Sequence, residues 1–460
     1  MKEKRVAVLG LARSGVALAS ALAARGVDVA AGDRKNEAEI EGAAALREAG
    51  VRIFAGGPDD AMLDGVELLA VSPGVPGSHP IVREARWAGI PVVSELELAW
   101  RILDEEVEGE NRYIAVTGTN GKSTVSSWIA EMLVRDGKNV ALAGNIGTAL
   151  SSFCASRAPR YFVIEASSFQ LEETDRFRPH VAVVTNITPD HLDRHGSFEA
   201  YAGAKARIFA QQKDGDAAVL NEDDPATARL APPARRVGFS ASRRVHAGAY
   251  ADAHAIWSEL EGTARRLAER DEIALPGLHN LENALAAAAA AELAGASPSA
   301  IASALTRFTG LPHRTELVAS ADGVDWIDDS KGTNPDAVVK SLAGFPDRRV
   351  ILILGGSSKG SDFSILAAPV ARKVCVVLTV GQSAEAIEKA LSGSDVRRAE
   401  TMDRAVELAA SLARAGDTVL LSPACASFDQ YRNFEERGDH FRALVRSRVA
   451  VVSGKGSHGA

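Results

Sequence analysis

Cysteine is scarce in this chain: three residues, Cys154, Cys375 and Cys425, among 460. Their spacing fits no metal-binding motif and their number supports no disulfide framework, so a reducing cytoplasm is the expected setting. Basic tracts are also missing. Acidic residues outnumber basic ones 60 to 52, for a formal charge of -8, and no lysine–arginine run or interleaved aromatic stripe offers a groove for nucleic acid. Moderate acidity favours solubility and says little about partners. Long apolar runs are absent as well: the alanine-rich stretch 284–295 is broken by Glu292 and reads as a packed helix rather than a membrane span. Met1-Lys-Glu-Lys-Arg5 passes straight into Val6-Ala-Val-Leu9, without the apolar region and cleavage site of a secretion signal. These absences leave a globular chain that is too long for one core and suits two to four domains.

What is present is a recurring strand–helix unit. Apolar runs of strand length stand at 6–9, 27–30, 68–71, 90–93, 113–116, 161–164, 181–184, 217–220, 350–354, 374–378 and 418–421, with helix-like periodicity between many of them. That pattern predicts an α/β chain with mostly parallel sheets and crossover helices. The acidic segment Asp104-Glu-Glu-Val-Glu-Gly-Glu110 marks one break, and Thr309-Gly-Leu-Pro312 a second. The expected division is 1–107, 108–311 and 312–446, with 447–460 as a flexible tail. Residues 232–270 alternate less cleanly and are expected to add small strands beside the central sheet.

The most informative stretch is Thr117-Gly-Thr-Asn-Gly-Lys-Ser-Thr124, which follows the apolar run Tyr113–Val116. A strand that turns through glycines into a helix leaves backbone N–H groups aimed at a phosphate. Lys122 adds a positive charge there, and Ser123 or Thr124 can reach Mg²⁺. The general phosphate-loop pattern asks for glycine at 116, where this chain has Val116, with Gly118 nearer the lysine. ATP handling is the expected chemistry.

Near the N-terminus, Gly10-Leu-Ala-Arg-Ser-Gly15 carries part of a dinucleotide fingerprint, with Arg13 where a close-approach glycine belongs and Asp33 after the next strand. An NAD site, a nucleotide-bearing substrate and plain turn glycines all fit. Ser14-Gly15 and Ser72-Pro73-Gly74-Val75 are candidate phosphate turns. Glu165 ends the run Tyr161–Ile164, a strand end that faces a crevice in an open parallel sheet, where it could accept Mg²⁺ or start a helix. Asn186 ends the next run and leads into Thr188-Pro-Asp-His-Leu-Asp-Arg-His195, in which His191 is the preferred metal ligand. Lys205 falls in an expected helix, 198–209, and alone would read as a solvated lysine. Asn280 and Asn283 stand at the start of the alanine-rich helix, able to cap it or to meet a base edge.

Together these segments resemble the Mur ligase family over almost the whole chain, most closely its D-glutamate-adding branch. The resemblance rests on Thr117–Thr124, Glu165–Gln170, Asn186–Asp193, Pro276–Asn283, Leu311–Glu316, Asp329–Asn334, Leu354–Gly360 and Leu421–Gln430, in that order. It implies a Rossmann-like N-terminal domain, a central P-loop mononucleotide-binding domain and a Rossmann-like C-terminal domain. It also implies a monomer using ATP, two Mg²⁺ ions and a CO₂-derived carbamate on Lys205. The small-molecule substrates implied are UDP-N-acetylmuramoyl-L-alanine and D-glutamate.

By that resemblance Gly118, Thr119, Asn120, Gly121, Lys122, Ser123 and Thr124 serve the ATP phosphates. Asn280, Asn283, Arg314 and Asp329 complete the nucleotide site. Ser123, Glu165, His191 and Lys205 serve the metals. Ser14, Gly15, Asp33, Ser72, Pro73 and Gly74 hold the UDP moiety, with Asn145 nearer the muramoyl group. Lys331, Thr333, Lys359, Ser427, Phe428 and Phe434 face D-glutamate, whose carboxylates suit cations and hydroxyls. Two positions depart from the family's pattern: Asp328 stands where Asn is expected, and Phe428 where Leu is expected. Both bear on fine substrate contacts. A folylpolyglutamate-type ligase, a nucleotide-operated switch and a nicotinamide oxidoreductase are the rival readings. The N-terminal nucleotide-like domain disfavours the first, the clustered Glu165, His191 and Lys205 the second, and the lack of a hydride-transfer site the third.

Overall fold

The computed structural model describes residues 2–106, 111–154, 160–275, 277–358 and 360–455. Part of the acidic break, residues 107–110, Lys359 and the last five residues therefore lie outside the described residues. The chain forms two compact units. One runs to Ala274 and adds Glu282–Phe308; the other takes Leu275–Leu281 and the residues from Thr309 on.

The first unit holds two sheets. In the N-terminal one, five parallel strands lie in the order Arg52–Ala55, Asp28–Asp33, Arg5–Leu9, Leu68–Val71, Val92–Ser94. Parallel neighbours need crossover connections, supplied by helices such as Arg13–Ala23 and Pro80–Trp87. The order reverses direction at Arg5–Leu9, so its C-terminal end opens on a crevice flanked by the turns after Leu9 and Val71.

The second sheet has nine strands in the order Arg265–Glu269, Ala255–Ser258, Gly248–Ala251, Arg235–Ser240, Ala217–Asn221, Val181–Val184, Arg112–Thr117, Tyr161–Glu165, Val140–Gly144. Only the pairings made by Ala255–Ser258 are antiparallel. The segment 232–270 thus extends the sheet itself. Arg112–Thr117 is central, between Val181–Val184 and Tyr161–Glu165. Both of its faces are covered, and Tyr113 to Thr117 are all buried, as the near-continuous apolar run anticipates.

The helix that follows, Lys122–Arg135, buries Val125, Trp128, Ile129, Met132 and Leu133, an i, i+3, i+4, i+7 face. Trp128 stacks on Phe308 at 5.0 Å between ring centroids and donates Nε1–H to the Ala304 carbonyl at 3.0 Å, which fixes the helix Pro298–Arg307 against it. Removing a side chain of that size from a core costs about 3–5 kcal/mol. The helix carrying the phosphate loop is therefore rigidly seated.

The first two sheets are tied by Glu97, a fully buried carboxylate on the helix Glu95–Glu106. It accepts the backbone N–H groups of Asp175, Arg176 and Phe177 at 3.1, 2.9 and 2.8 Å, and Arg101 Nε at 2.6 Å. Trp100, on the same helix, meets Tyr113 and Phe177 edge to face. A buried carboxylate is tolerated because its lone pairs are met in this way.

The second unit holds a six-stranded sheet in the order Glu316–Ala321, Val324–Asp328, Thr418–Leu421, Val350–Gly355, Val374–Val380, Val396–Glu400. The first two strands form an antiparallel hairpin; all other pairings are parallel. The hairpin turns at Asp322-Gly323, both with positive φ, the backbone that a two-residue turn between twisted strands requires. The last helix, Phe434–Lys455, runs through most of the segment expected as a flexible tail from 447. Among the described residues no helix is long and apolar enough to cross a membrane.

Candidate active site

The phosphate-type loop is built on two glycines that no other residue could replace without strain. Gly118 has φ +145°, and a Cβ there would lie 1.9 Å from Thr185 Oγ1; Gly121 has φ +84°, and a Cβ there would lie 2.3 Å from Asn283 Oδ1. Asn283, on the helix Leu278–Leu293, is thereby pressed against the turn that starts the helix Lys122–Arg135. The neighbouring strand end pins the rest of the loop. Thr119 N–H donates to the Asn186 carbonyl at 2.8 Å, Asn120 N–H to Asn186 Oδ1 at 3.0 Å, and Thr185 Oγ1 to the Asn120 carbonyl at 2.6 Å. Ser123 and Thr124 are buried in the first turn of the helix.

Two lysines converge on one carbonyl. Lys122 Nζ donates to the Gly118 and Thr119 oxygens at 2.9 and 2.8 Å, and Lys205 Nζ donates to the same Gly118 oxygen at 2.7 Å. Lys205 is buried on the helix Phe198–Ala206, its amine 4.5 Å from the centroid of the Tyr201 ring. Burial, reinforced by the charge of Lys122, holds its pKa well below the usual lysine range, against the pull of Asp190 and Glu165. A solvated lysine, the reading from sequence physics alone, is excluded.

Glu165 is buried at the end of its strand and accepts Asn145 Nδ2–H at 2.7 Å; the Asn145 N–H also donates to the Glu165 carbonyl, at 2.8 Å. Glu165 does not start the next helix, which Ser167 caps. His191 takes a left-handed backbone, φ 52°, and precedes the short helix Leu192–His195. Its ring meets the Phe169 ring edge to face at 4.9 Å. His195 is held between Ser168 Oγ at 3.0 Å from Nε2 and Glu172 Oε1 at 2.9 Å from Nδ1. The buried Glu165 carboxylate and Ser123 hydroxyl beside a phosphate loop are oxygen ligands of the kind a hard divalent cation takes, and His191 adds a half-buried imidazole. Lys205 as an amine does not fit one; with a carbamate it would offer the missing anionic oxygens.

In the N-terminal sheet, both oxygens of Asp33 are engaged, Oδ2 by the Leu11 N–H at 2.6 Å and Oδ1 by the Lys35 N–H at 2.9 Å. Ser72 Oγ donates to the Gly10 carbonyl at 2.7 Å, and a Cβ on Gly15 would lie 1.9 Å from that same oxygen. Close approach is therefore what the glycine at 15 supplies. The Ser14 carbonyl accepts Ser151 Oγ at 3.2 Å. Pro73 and Gly74 lie in the turn after Leu68–Val71.

The second unit places Asn280 inside the helix Leu278–Leu293, as its third residue, so it is not the residue preceding the helix that a side-chain cap would require. Asp329 is buried; burial pushes its carboxyl up to about 7, against hydrogen bonding from Ser422 and the nearby charge of Arg314. Lys331 Nζ sits 3.8 Å from the centroid of the Phe434 ring, which unites two of the residues expected at D-glutamate, while the Thr333 N–H donates to the Lys331 carbonyl at 2.7 Å. Ser427 is buried in a turn with no helix to cap, and Phe428 is 72% exposed. Lys359 lies outside the described residues. Arg437, which sequence reasoning missed, is buried and braces the 329–333 turn through the Ser330 oxygens and the Cys425 carbonyl. Tyr201 was missed too, although its place four residues before Lys205 on one helix was a usable signal.

Asp328 has a partner suited to its charge. Its Oδ2 lies 2.7 Å from His313 Nδ1 and its Oδ1 accepts the Ser330 N–H at 2.9 Å. The hydrogen bond to Asp328 raises the His313 pKa above its ordinary value. Asp439, 3.7 Å from Nε2, acts in the same direction and Arg442 against it, while Glu316 takes the His313 N–H. A histidine raised in the folded state contributes its full stabilisation below its unfolded value of about 6.5, and the contribution fades as pH rises through the raised value. Asp328→Asn should therefore lower the melting temperature most below about pH 6.5, the unfolded histidine value, and progressively less as the pH rises above it. A pH-independent difference in thermal melts would rule out the charged pair.

Comparison with known proteins accords with this arrangement. The Mur ligase MurD-like N-terminal domain matches residues 4–94, the Mur ligase middle domain residues 116–291, and the Mur ligase glutamate ligase domain residues 313–425. The chain is 44% identical over 454 residues to UDP-N-acetylmuramoylalanine--D-glutamate ligase of Pelotomaculum thermopropionicum, covering 96% of this chain and 98% of that one. It is 43% identical over 447 residues to the enzyme of the same name from Geobacillus kaustophilus, covering 96% and 97%. The fold is also that of UDP-N-acetylmuramate-alanine ligase from Thermotoga maritima, with TM-score 0.61 at 20% identity over 97% of this chain and 100% of that one. Three α/β domains and a phosphate loop in the central one define the class, and the chain belongs to the Mur ligase family, on the branch of the UDP-N-acetylmuramoylalanine--D-glutamate ligases.

Proposed function

We propose that this chain joins D-glutamate to UDP-N-acetylmuramoyl-L-alanine at the expense of ATP, releasing ADP and phosphate, in cytoplasmic synthesis of peptidoglycan precursor. The observation that carries the reading is the 44% identity across 96% of the chain to a ligase of that specificity. The convergence of Lys122 and Lys205 on the Gly118 carbonyl supports it. The alanyl carboxylate attacks the γ-phosphorus of ATP, the bond to the bridging oxygen breaks, and an acyl phosphate and ADP result. The D-glutamate amine then attacks the acyl carbon, and phosphate leaves as the amide forms.

In this reading the domains are 1–107, 108–311 and 312–446. The outer two are Rossmann-like and the central one is a P-loop domain. The first holds UDP through Ser14, Gly15, Asp33 and Ser72–Gly74, with Asn145 toward the muramoyl end. Residues Gly118–Thr124, Asn280, Asn283, Arg314 and Asp329 take ATP. Lys331, Thr333, Lys359, Ser427 and Phe434 take D-glutamate, with Phe428 at the margin. Lys122 steadies the phosphoryl oxygens as charge shifts between them. Two Mg²⁺, held by Ser123, Glu165, His191 and a Lys205 carbamate, would neutralise phosphate charge when bound.

The test is ADP and phosphate release with UDP-N-acetylmuramoyl-L-alanine and D-glutamate, L-glutamate or L-lysine, with product mass read in parallel. D-Glutamate-dependent release and a product heavier by one glutamyl residue are expected. Dependence on another amino acid would overturn the specificity, and no turnover with any would overturn the muramoyl substrate.

A further inference from the structure

The side chain of Arg194 reaches across two domains. Its guanidinium lies 3.9 Å from the centroid of the Phe169 ring, and Nη2 is 3.3 Å from Glu172 Oε2. The same group donates to the Pro73 carbonyl at 3.2 Å from Nη1 and to the Val75 carbonyl at 3.3 Å from Nη2. Arg194 therefore touches the Ser72–Val75 turn of the N-terminal sheet and belongs to the short helix that His191 precedes; its N–H donates to the His191 carbonyl at 3.1 Å. The Phe169 ring that it covers is the one against which His191 rests. A histidine with φ 52° occupies a sparsely populated backbone region and keeps it only where its surroundings hold it. Arg194 and Phe169 are among those surroundings, together with Asp190, whose Oδ1 accepts the His191 N–H at 2.9 Å.

Neither domain depends on this residue to stay attached to the other, because Glu97 with its three backbone donors and the Arg86–Glu173 pair already join them. A planar fork on two carbonyls and an aromatic face is a geometry that lysine's single amine cannot reproduce.

We infer that Arg194 is a positioning residue that couples occupancy of the UDP-substrate turn at 72–75 to the setting of His191 for the metal–nucleotide complex. The inference rests on the functional reading above. Ligand seated on the turn fixes the Pro73 and Val75 carbonyls, these fix the guanidinium, and the guanidinium fixes Phe169 and the His191 loop. By reciprocity, metal–nucleotide binding tightens UDP-substrate binding by the same factor.

The experiment is calorimetric titration of UDP-N-acetylmuramoyl-L-alanine into the full chain, with and without the Mg²⁺ complex of a non-hydrolysable ATP analogue. Wild type is expected to bind the substrate about tenfold more tightly with the complex present, within the usual range for coupled sites. Arg194→Met should bring that ratio to within about twofold of unity, and Arg194→Lys should leave it nearly as low. If Arg194→Met does not fold, Phe169→Leu tests the same path. A ratio unchanged in the variants overturns the inference, as does a wild type that binds both ligands without coupling. A wild type that binds neither overturns the functional reading instead.

Discussion

Replacing Lys205 with alanine is expected to lower turnover by about 100- to 1,000-fold, the size of loss seen when one preorganised oxyanion-hole donor is removed. The same loss is expected for Lys205→Arg, which sets this apart from simple removal of a positive charge. Lys205 is buried, and its amine shares the Gly118 carbonyl with Lys122. Both circumstances favour the uncharged amine, and the uncharged amine is the form that adds CO₂. Addition would form an N–C bond, release a proton and leave an anion, where a second cation beside Lys122 would be repelled. Arginine cannot undergo this reaction. With ¹³C-bicarbonate, a carbamate carbon resonance should appear in wild type and vanish in both variants. Wild-type turnover in Lys205→Arg, or no labelled carbon in an active wild type, would sink the carbamate.

The second large effect is expected at Lys122. Its Nζ rests on the Gly118 and Thr119 carbonyls, at the N-terminal end of a helix seated by Trp128. Lys122→Ala removes a mobile charge from the place where the γ-phosphoryl group would lie and leaves the buried face of the helix untouched. A loss of about 3–4 kcal/mol of transition-state stabilisation is expected. It should appear in turnover at saturating ATP, with the unfolding midpoint little changed. Near-normal turnover would remove Lys122 from the reaction. Equal losses of turnover and folding would make it a structural lysine.

The parts legible in the sequence were those whose physics is local. Runs 68–71, 181–184 and 418–421 coincide with the strands Leu68–Val71, Val181–Val184 and Thr418–Leu421, because a strand buried on both faces is apolar without interruption. Strands at or beside sheet margins escaped notice. Arg52–Ala55, Glu316–Ala321 and Val396–Glu400 carry charged residues on faces that meet water, and their pairing is decided by neighbours distant in the chain. The phosphate loop was legible because its chemistry is contiguous. Arg194 and Arg437 were not: one acts on carbonyls 121 and 119 positions away, the other on a serine 107 positions away. Nothing local separates either from a solvated arginine. Asn145 was read toward the substrate, and its hydrogen bond to Glu165 could not be foreseen without the sheet register that aligns Gly144 with Glu165.

The carboxylate of Glu97 bears on how the chain can be divided. A cut in the acidic segment between the first two sheets falls where the topology looks modular. Yet such a cut would strip three amide donors from a side chain that has no access to water, and would bare the Trp100 ring now set against Tyr113 and Phe177. Each piece would inherit unmet polar groups or naked aromatic surface. Evolution could exchange the N-terminal sheet for another only together with the loop at 175–177 that receives it, so the heritable module is larger than the domain.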